Sequence, residues 1–125
     1  MTDYNLMLGD CLDRMAEIAD GSVDLVLTDP PYGTTACKWD AVIPFEPMWR
    51  EVRRVLNPRG AAVLTASQPF TSALVMSNPR EFKYCWVWEK TNAKGFLSSA
   101  RRPLTAHEDV CVFGAAKTYN PIKWR

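Results

Sequence analysis

The residues best suited to chemistry are Asp29, Pro30, Pro31 and Tyr32, which follow the apolar run at 23–27 and Thr28. A carboxylate accepts hydrogen bonds, two successive prolines fix two φ angles and remove two N–H donors, and the tyrosine adds a flat ring. The product is a stiff loop rich in acceptors beside an aromatic face. Such a loop suits a planar group that carries N–H donors, and the exocyclic amine of a nucleobase is one. The plainer reading is that Asp-Pro-Pro only redirects the chain after a strand.

Position favours the first reading. Gly21-Ser22 and Asp-Pro-Pro bracket a short run rich in valine and leucine, the pattern of a buried parallel strand over 23–28. Asp29 then stands at a strand's carboxyl end, where open α/β sheets place their ligands. Upstream, residues 4–8 form a strand candidate closed by Gly9-Asp10, and Leu12, Met15, Ala16 and Ala19 fall at the spacing of a helix over 11–19. Asp10 reads as the cap of that helix, as a ligand-facing carboxylate on the same rim as Asp29, or as both. Downstream, the loop 33–40 carries Trp39 and reads as a lid or substrate contact, or as a surface loop pinned by its tryptophan.

Phe45, Met48, Trp49, Val52, Val55 and Leu56 recur at helical spacing with charged residues between them, and Asn57-Pro-Arg-Gly60 ends that helix. A strand over 61–66 follows, then a short helix over 69–76. Strand, helix and strand in this order place 61–66 parallel to and beside 23–28. Residues 82–88 and 110–113 read as two further strands, paired antiparallel around a long connection from 89 to 105. That connection holds Lys90, Lys94, Arg101 and Arg102 with Asn92, Gly95 and Phe96 among them. Cations and an aromatic on one loop suit contact with a nucleic-acid backbone, the alternative being a solvated surface loop. The expected fold class is therefore α/β, a mixed sheet with parallel strands and a C-terminal antiparallel pair.

Composition bounds these readings. The chain has 125 residues, 47% hydrophobic and 23% charged, which suits one soluble domain spanning 1–125. A net charge of +1 gives no global signature of nucleic-acid binding, so any such surface is a local patch. Cys11, Cys37, Cys85 and Cys111 contain no Cys-x-x-Cys pair, and His107 is the single histidine, so no metal site is expected. Cys85 and Cys111 read as small core residues, and His107 as a structural or hydrogen-bonding group. No run approaches transmembrane length and no basic segment precedes an apolar one, which points to a cytoplasmic protein without a membrane partner.

Taken together, the motifs resemble a known family. Asp29-Pro-Pro-Tyr32 after an apolar strand is similar to the signature of DNA amino-methyltransferases, which modify adenine N6 or cytosine N4. The Gly9-Asp10-Cys11-Leu12 start, the Leu56-Asn-Pro-Arg-Gly-Ala61 turn and the segment 101–110 resemble phage and prophage-type members, whose catalytic motif precedes their cofactor motif. The resemblance covers nearly the whole chain. It implies a partial Rossmann-like methyltransferase fold, S-adenosylmethionine as cofactor and a DNA base flipped into a pocket as substrate. It implies catalytic roles for Asp29, Pro30, Pro31 and Tyr32, with Asp29 and the Pro30 carbonyl accepting from the amine and Tyr32 stacking on the base. Cofactor contacts fall to Asp10, Cys11 and Asp29, and DNA contacts to Lys90, Lys94, Arg101, Arg102 and Trp39. An aspartate at the first motif position favours adenine in that family.

The chain also departs from the pattern. Relatives carry a cofactor loop of the form Asp-Pro-Phe-x-Gly-Ser-Gly, whereas the six glycines here are isolated at 9, 21, 33, 60, 95 and 114. The chain stops at 123–125, just past Tyr119-Asn-Pro121, where relatives continue into a target-recognition region. The expectation is an incomplete domain with an exposed strand edge, completed by a second chain or a homodimer. Two readings follow: one part of a split or truncated site-specific adenine-N6 DNA methyltransferase, or an inactive remnant that binds DNA or a partner.

Overall fold

Residues 3–115 and 121–122 are described by the computed structural model, so the terminal positions 119 and 123–125 singled out above lie outside the described residues. The apolar stripe beginning at Phe45 forms an eleven-residue helix, Phe45–Val55, that buries Met48, Trp49, Val52 and Val55. In chain order the elements are α1 (Cys11–Met15), β1 (Val23–Thr28), α2 (Phe45–Val55), β2 (Leu56–Ala66), α3 (Phe70–Ser77), β3 (Phe82–Lys94), a 3-10 turn at Phe96–Ser98 and β4 (Thr105–Gly114). The four strands form one sheet in the order β1-β2-β4-β3. β1 runs parallel to β2, and β4 runs antiparallel to both β2 and β3.

Alternation along the strands sets the two faces of this sheet. Ala62, Leu64 and Ala66 of β2 and Cys111 and Phe113 of β4 point to one face, where they pack with Met48, Trp49 and Val52 of α2 and Phe70 and Leu74 of α3. Leu12 and Met15 of α1 join the same cluster from its margin. The Trp49 ring lies 4.7 Å from the Phe113 ring, and its indole N–H donates to Ser77 Oγ at 2.7 Å. Arg54 ties the connection between α1 and β1 to α2 by donating to the carbonyls of Met15 and Ile18 at 2.7 and 2.8 Å. The opposite face carries Leu25 and Leu27 of β1 and Trp86 and Trp88 of β3, all at least half exposed. Every described α-helix therefore packs on one side of the sheet. The outer edge of β1 has no strand beside it among the described residues.

This asymmetry has a measurable consequence. Leu64 is 1% exposed and Leu27 is 67% exposed, although they lie on neighbouring strands. Leu64→Ala is expected to lower unfolding free energy by about 2–5 kcal/mol through lost burial and a residual cavity. Leu27→Ser is expected to stay within about 0.5 kcal/mol of the parent. Urea denaturation of both variants reads the contrast, and comparable losses would mean that Leu27 is covered in solution.

Several expectations are corrected. Residues 4–8 form no strand, and Tyr4, Leu6 and Leu8 are 84%, 86% and 97% exposed, because no described strand offers this segment a ladder to join. The first helix stops at Met15, before the expected end at 19, and the chain turns where Arg54 holds its carbonyls. β3 continues to Lys94 and β4 starts at Thr105, so the connection spans only 95–104. Lys90 and Lys94 thus belong to a strand and not to a loop. Cys85 is exposed rather than in the core, while its neighbour across the ladder, Cys111, is fully buried.

Candidate active site

β1 delivers Asp29 to the end of the sheet, and the next strand supplies its partner. The parallel register sets Thr28 beside Leu64, so Asp29 and Thr65 follow side by side at the two strand ends. Tyr32 closes the group from the loop. Its hydroxyl lies 2.8 Å from Asp29 Oδ1 and 2.8 Å from Thr65 Oγ1, and Thr65 Oγ1 in turn donates to Asp29 Oδ1. Burial, together with the neighbouring carboxylate, pushes the Tyr32 phenol well above its usual range, against the lowering influence of Thr65, so the hydroxyl keeps its proton. One ring face of Tyr32 stacks on Phe70, with centroids 5.1 Å apart and planes inclined by 22°. Tyr32 is thereby anchored to the first turn of α3.

The loop that follows is organised by a residue the sequence reading passed over. Asp40 is buried and accepts from the backbone N–H groups of Gly33, Thr34 and Thr35 at 2.8, 2.9 and 2.7 Å. Gly33 has a φ of +67°, and a Cβ there would stand 2.8 Å from Val42 Cγ2, so both backbone conformation and space call for glycine. Trp39 does not pin the loop, since it is 75% exposed. An acceptor placed shortly after a glycine and two threonines was the available signal for Asp40. For Thr65 the signal was its place at the end of a strand expected to lie beside β1.

Asp40 also makes the loop sensitive to acid. Hydrogen bonds from Thr35 and Gly33, opposed by burial, hold its carboxyl down at about 2, against 3.8 for an ordinary aspartate. A depressed folded-state value stabilises the loop at pH above the unfolded value, and this contribution is lost as pH falls toward and through 2. Trp39 fluorescence is expected to report opening of the loop in that acid range, and Asp40→Asn should show the opened signal already at neutral pH. An identical acid transition in Asp40→Asn would assign it to another group.

Together these parts line a cavity of about 380 Å³ formed by Asp29, Pro30, Pro31, Tyr32, Thr34, Thr35, Trp39, Asp40 and Lys94. Asp29 is exposed to it and Pro30 is buried behind it. A second hollow of about 690 Å³ shares Tyr32, Thr34, Thr35 and Lys94 with the first and continues past Ser67 and Gln68 to Lys90, Arg102 and His107. Of the basic residues, Lys90 and Lys94 pair with Glu108 at 2.8 and 2.9 Å. Lys90 also lies 3.4 Å over the Trp88 ring. These two lysines hold the Glu108 carboxyl below its ordinary value. Arg101 and Arg102 are exposed and form no ion pair among the described residues.

Asp10 and Cys11 are not in the wall of the cavity beside Asp29. Asp10 caps α1, its Oδ1 accepting from the Leu12 amide at 2.9 Å, and Cys11 is the first, exposed residue of that helix. Among the described residues no group of three or more His, Cys, Asp or Glu side chains could hold a metal ion, and no helix is long and apolar enough to cross a membrane.

Known proteins share this architecture. The type II methyltransferase M1.MboII of Moraxella bovis is 25% identical over 121 residues, an alignment covering 87% of this chain and 45% of that protein. TTHA0409 of Thermus thermophilus, named as a DNA modification methylase, superimposes with a TM-score of 0.64 at 22% identity, covering 92% of this chain and 54% of that one. The PvuII DNA methyltransferase, cytosine-N4-specific, gives a TM-score of 0.66 at 15% identity, covering 88% and 48%. The chain thus spans about half the length of these relatives, and the structural likeness establishes a Rossmann-like methyltransferase fold. A family profile described as RMKL-like, methyltransferase domain, matches residues 10–94, and the chain belongs to that family.

Proposed function

We propose that this chain carries the base-binding part of a DNA adenine-N6 methyltransferase that uses S-adenosylmethionine. The observation that carries the reading is the Asp29 carboxylate, held at the end of β1 by two hydroxyl contacts and exposed to a cavity walled by Pro30, Pro31, Tyr32 and Trp39. The target base leaves the duplex, because its amine is inaccessible within the stack. Asp29 and the Pro30 carbonyl accept hydrogen bonds from that amine and turn its lone pair out of conjugation with the ring. The uncovered side of Tyr32 and the exposed Trp39 ring flank the base, and Arg101 and Arg102 meet phosphates beyond it. Adenine is preferred over cytosine from the aspartate at the first motif position; M1.MboII and PvuII methyltransferase support amino methylation as the class of reaction.

S-adenosylmethionine supplies the methyl group, and TTHA0409 with the same fold has been solved in complex with it. The residues described here do not by themselves fit that cofactor. Asp10 spends one carboxylate oxygen on its helix, and the isolated glycines provide no run of backbone amides to cradle a charged ligand. The chain therefore contributes the acceptor side of the reaction, and the donor side is completed by further polypeptide. A non-catalytic DNA-binding module is the second reading, favoured by that same lack of a glycine-rich loop. Tritium transfer from labelled S-adenosylmethionine to adenine-containing duplex DNA, with and without the C-terminal half of a relative, separates the two. Incorporation at adenine N6 supports the enzyme; DNA binding with no transfer under either condition supports the module.

A further inference from the structure

Three oxygens meet at the end of β1 and β2: Asp29 Oδ1, the Tyr32 hydroxyl and Thr65 Oγ1, and every pair of them is in contact. Only two protons are available for the three contacts, one on each hydroxyl, and the carboxylate oxygen is the one member that cannot donate. Both protons are best spent on Asp29 Oδ1. Oδ2 has no hydrogen-bond partner among the described residues, and Asp29 itself is exposed to the cavity.

We infer that Thr65 is a positioning residue for Asp29: with Tyr32 it saturates Oδ1 and fixes the carboxylate so that Oδ2 alone is presented to the amine of the base. The inference rests on the reading of Asp29 as the amine acceptor. Thr65 is suited to the task because it sits on a strand paired on both sides, with β1 and β4, so its hydroxyl is placed by the sheet rather than by a loop. Its β-branched side chain has restricted χ1 freedom, which keeps the hydroxyl aimed. A carboxylate on the first residue after a strand would otherwise rotate freely about its own χ angles. With both donors on one oxygen, rotation costs two charge-assisted hydrogen bonds.

The test compares Thr65→Val, which keeps the shape and removes the hydroxyl, with Thr65→Ser, which restores it. Adenosine and N6,N6-dimethyladenosine serve as probes, since they differ in whether the amine has N–H groups to donate, and Trp39 fluorescence reads binding. Wild type is expected to prefer adenosine. Thr65→Val should lose about tenfold in adenosine affinity and most of that preference, with dimethyladenosine binding and thermal midpoint little changed, while Thr65→Ser recovers both. An equal loss for both probes, or a serine variant as impaired as the valine one, overturns the inference and leaves Thr65 a structural residue. A ligand-free crystal structure of Thr65→Val is the independent measurement. Asp29 should occupy a different rotamer there; an unchanged rotamer overturns the inference whatever the probes show. Wild type that binds both probes equally would instead overturn the amine-acceptor reading of Asp29, with Thr65 then judged on the rotamer alone.

Discussion

Asp29→Ala is expected to lower methyl transfer by about 100-fold or more, the scale on which loss of one preorganised polar contact is felt in the transition state. Folding should barely change. The side chain is exposed, and the two hydroxyls it leaves behind remain 2.8 Å apart and able to bond to each other and to water. Asp29→Asn is the sharper experiment because it keeps the shape. Its carbonyl oxygen would accept from Tyr32 and Thr65 as Oδ1 does, which turns its NH₂ toward the base. A donor would then face a donor, so the asparagine variant should be as inactive as the alanine one. Turnover of labelled methyl groups, measured on an enzyme complete in its donor half alongside thermal midpoints, reads both variants. Near-normal turnover of either would remove Asp29 from the site.

Much of that geometry was legible before any coordinates. Asp29-Pro-Pro-Tyr32 could be placed at a strand's end because Gly21-Ser22 and the prolines bracket a run that only a strand explains, and the βαβ order fixed its parallel neighbour at 61–66. Periodicity likewise located α2, since a stripe from Phe45 to Leu56 fits no other period. What escaped depends on contacts between segments distant in sequence. Nothing local marks Thr65 as the partner of a carboxylate 36 residues away, or Arg54 as the residue that ends α1 by binding its carbonyls. Asp40 was overlooked because the eye goes to Trp39, yet three consecutive amides need an acceptor and a ring cannot supply one. The error over residues 89–94 has a similar origin. Lys90, Thr91 and Asn92 read as polar loop residues, but β4 extends to Thr105 and carries Glu108, whose charge makes a lysine-bearing strand favourable beside it.

That last contact separates the basic residues into two groups with different expected behaviour toward DNA. Each cation that neutralises a phosphate contributes about 0.9 to the slope of log affinity against log salt on duplex DNA. Arg101 and Arg102 lie exposed on the connection between β3 and β4 without ion-pair partners among the described residues, so replacing both by alanine should flatten that slope by up to about 1.8. Lys90 differs. Its ammonium pairs with Glu108 at 2.8 Å and covers the Trp88 ring at 3.4 Å, and Glu108 stays ionised at neutral pH because Lys90 and Lys94 both favour its charged form. To reach a phosphate, Lys90 would have to abandon both contacts. Lys90→Ala is therefore expected to leave the salt slope close to that of the parent, although it removes the same unit of charge as a single arginine substitution. Fluorescence anisotropy of a labelled duplex across a series of salt concentrations measures all three proteins. An arginine double variant with an unchanged slope would take this connection off the DNA surface. A lysine variant with a full unit of flattening would show that Glu108 releases its partner when DNA arrives.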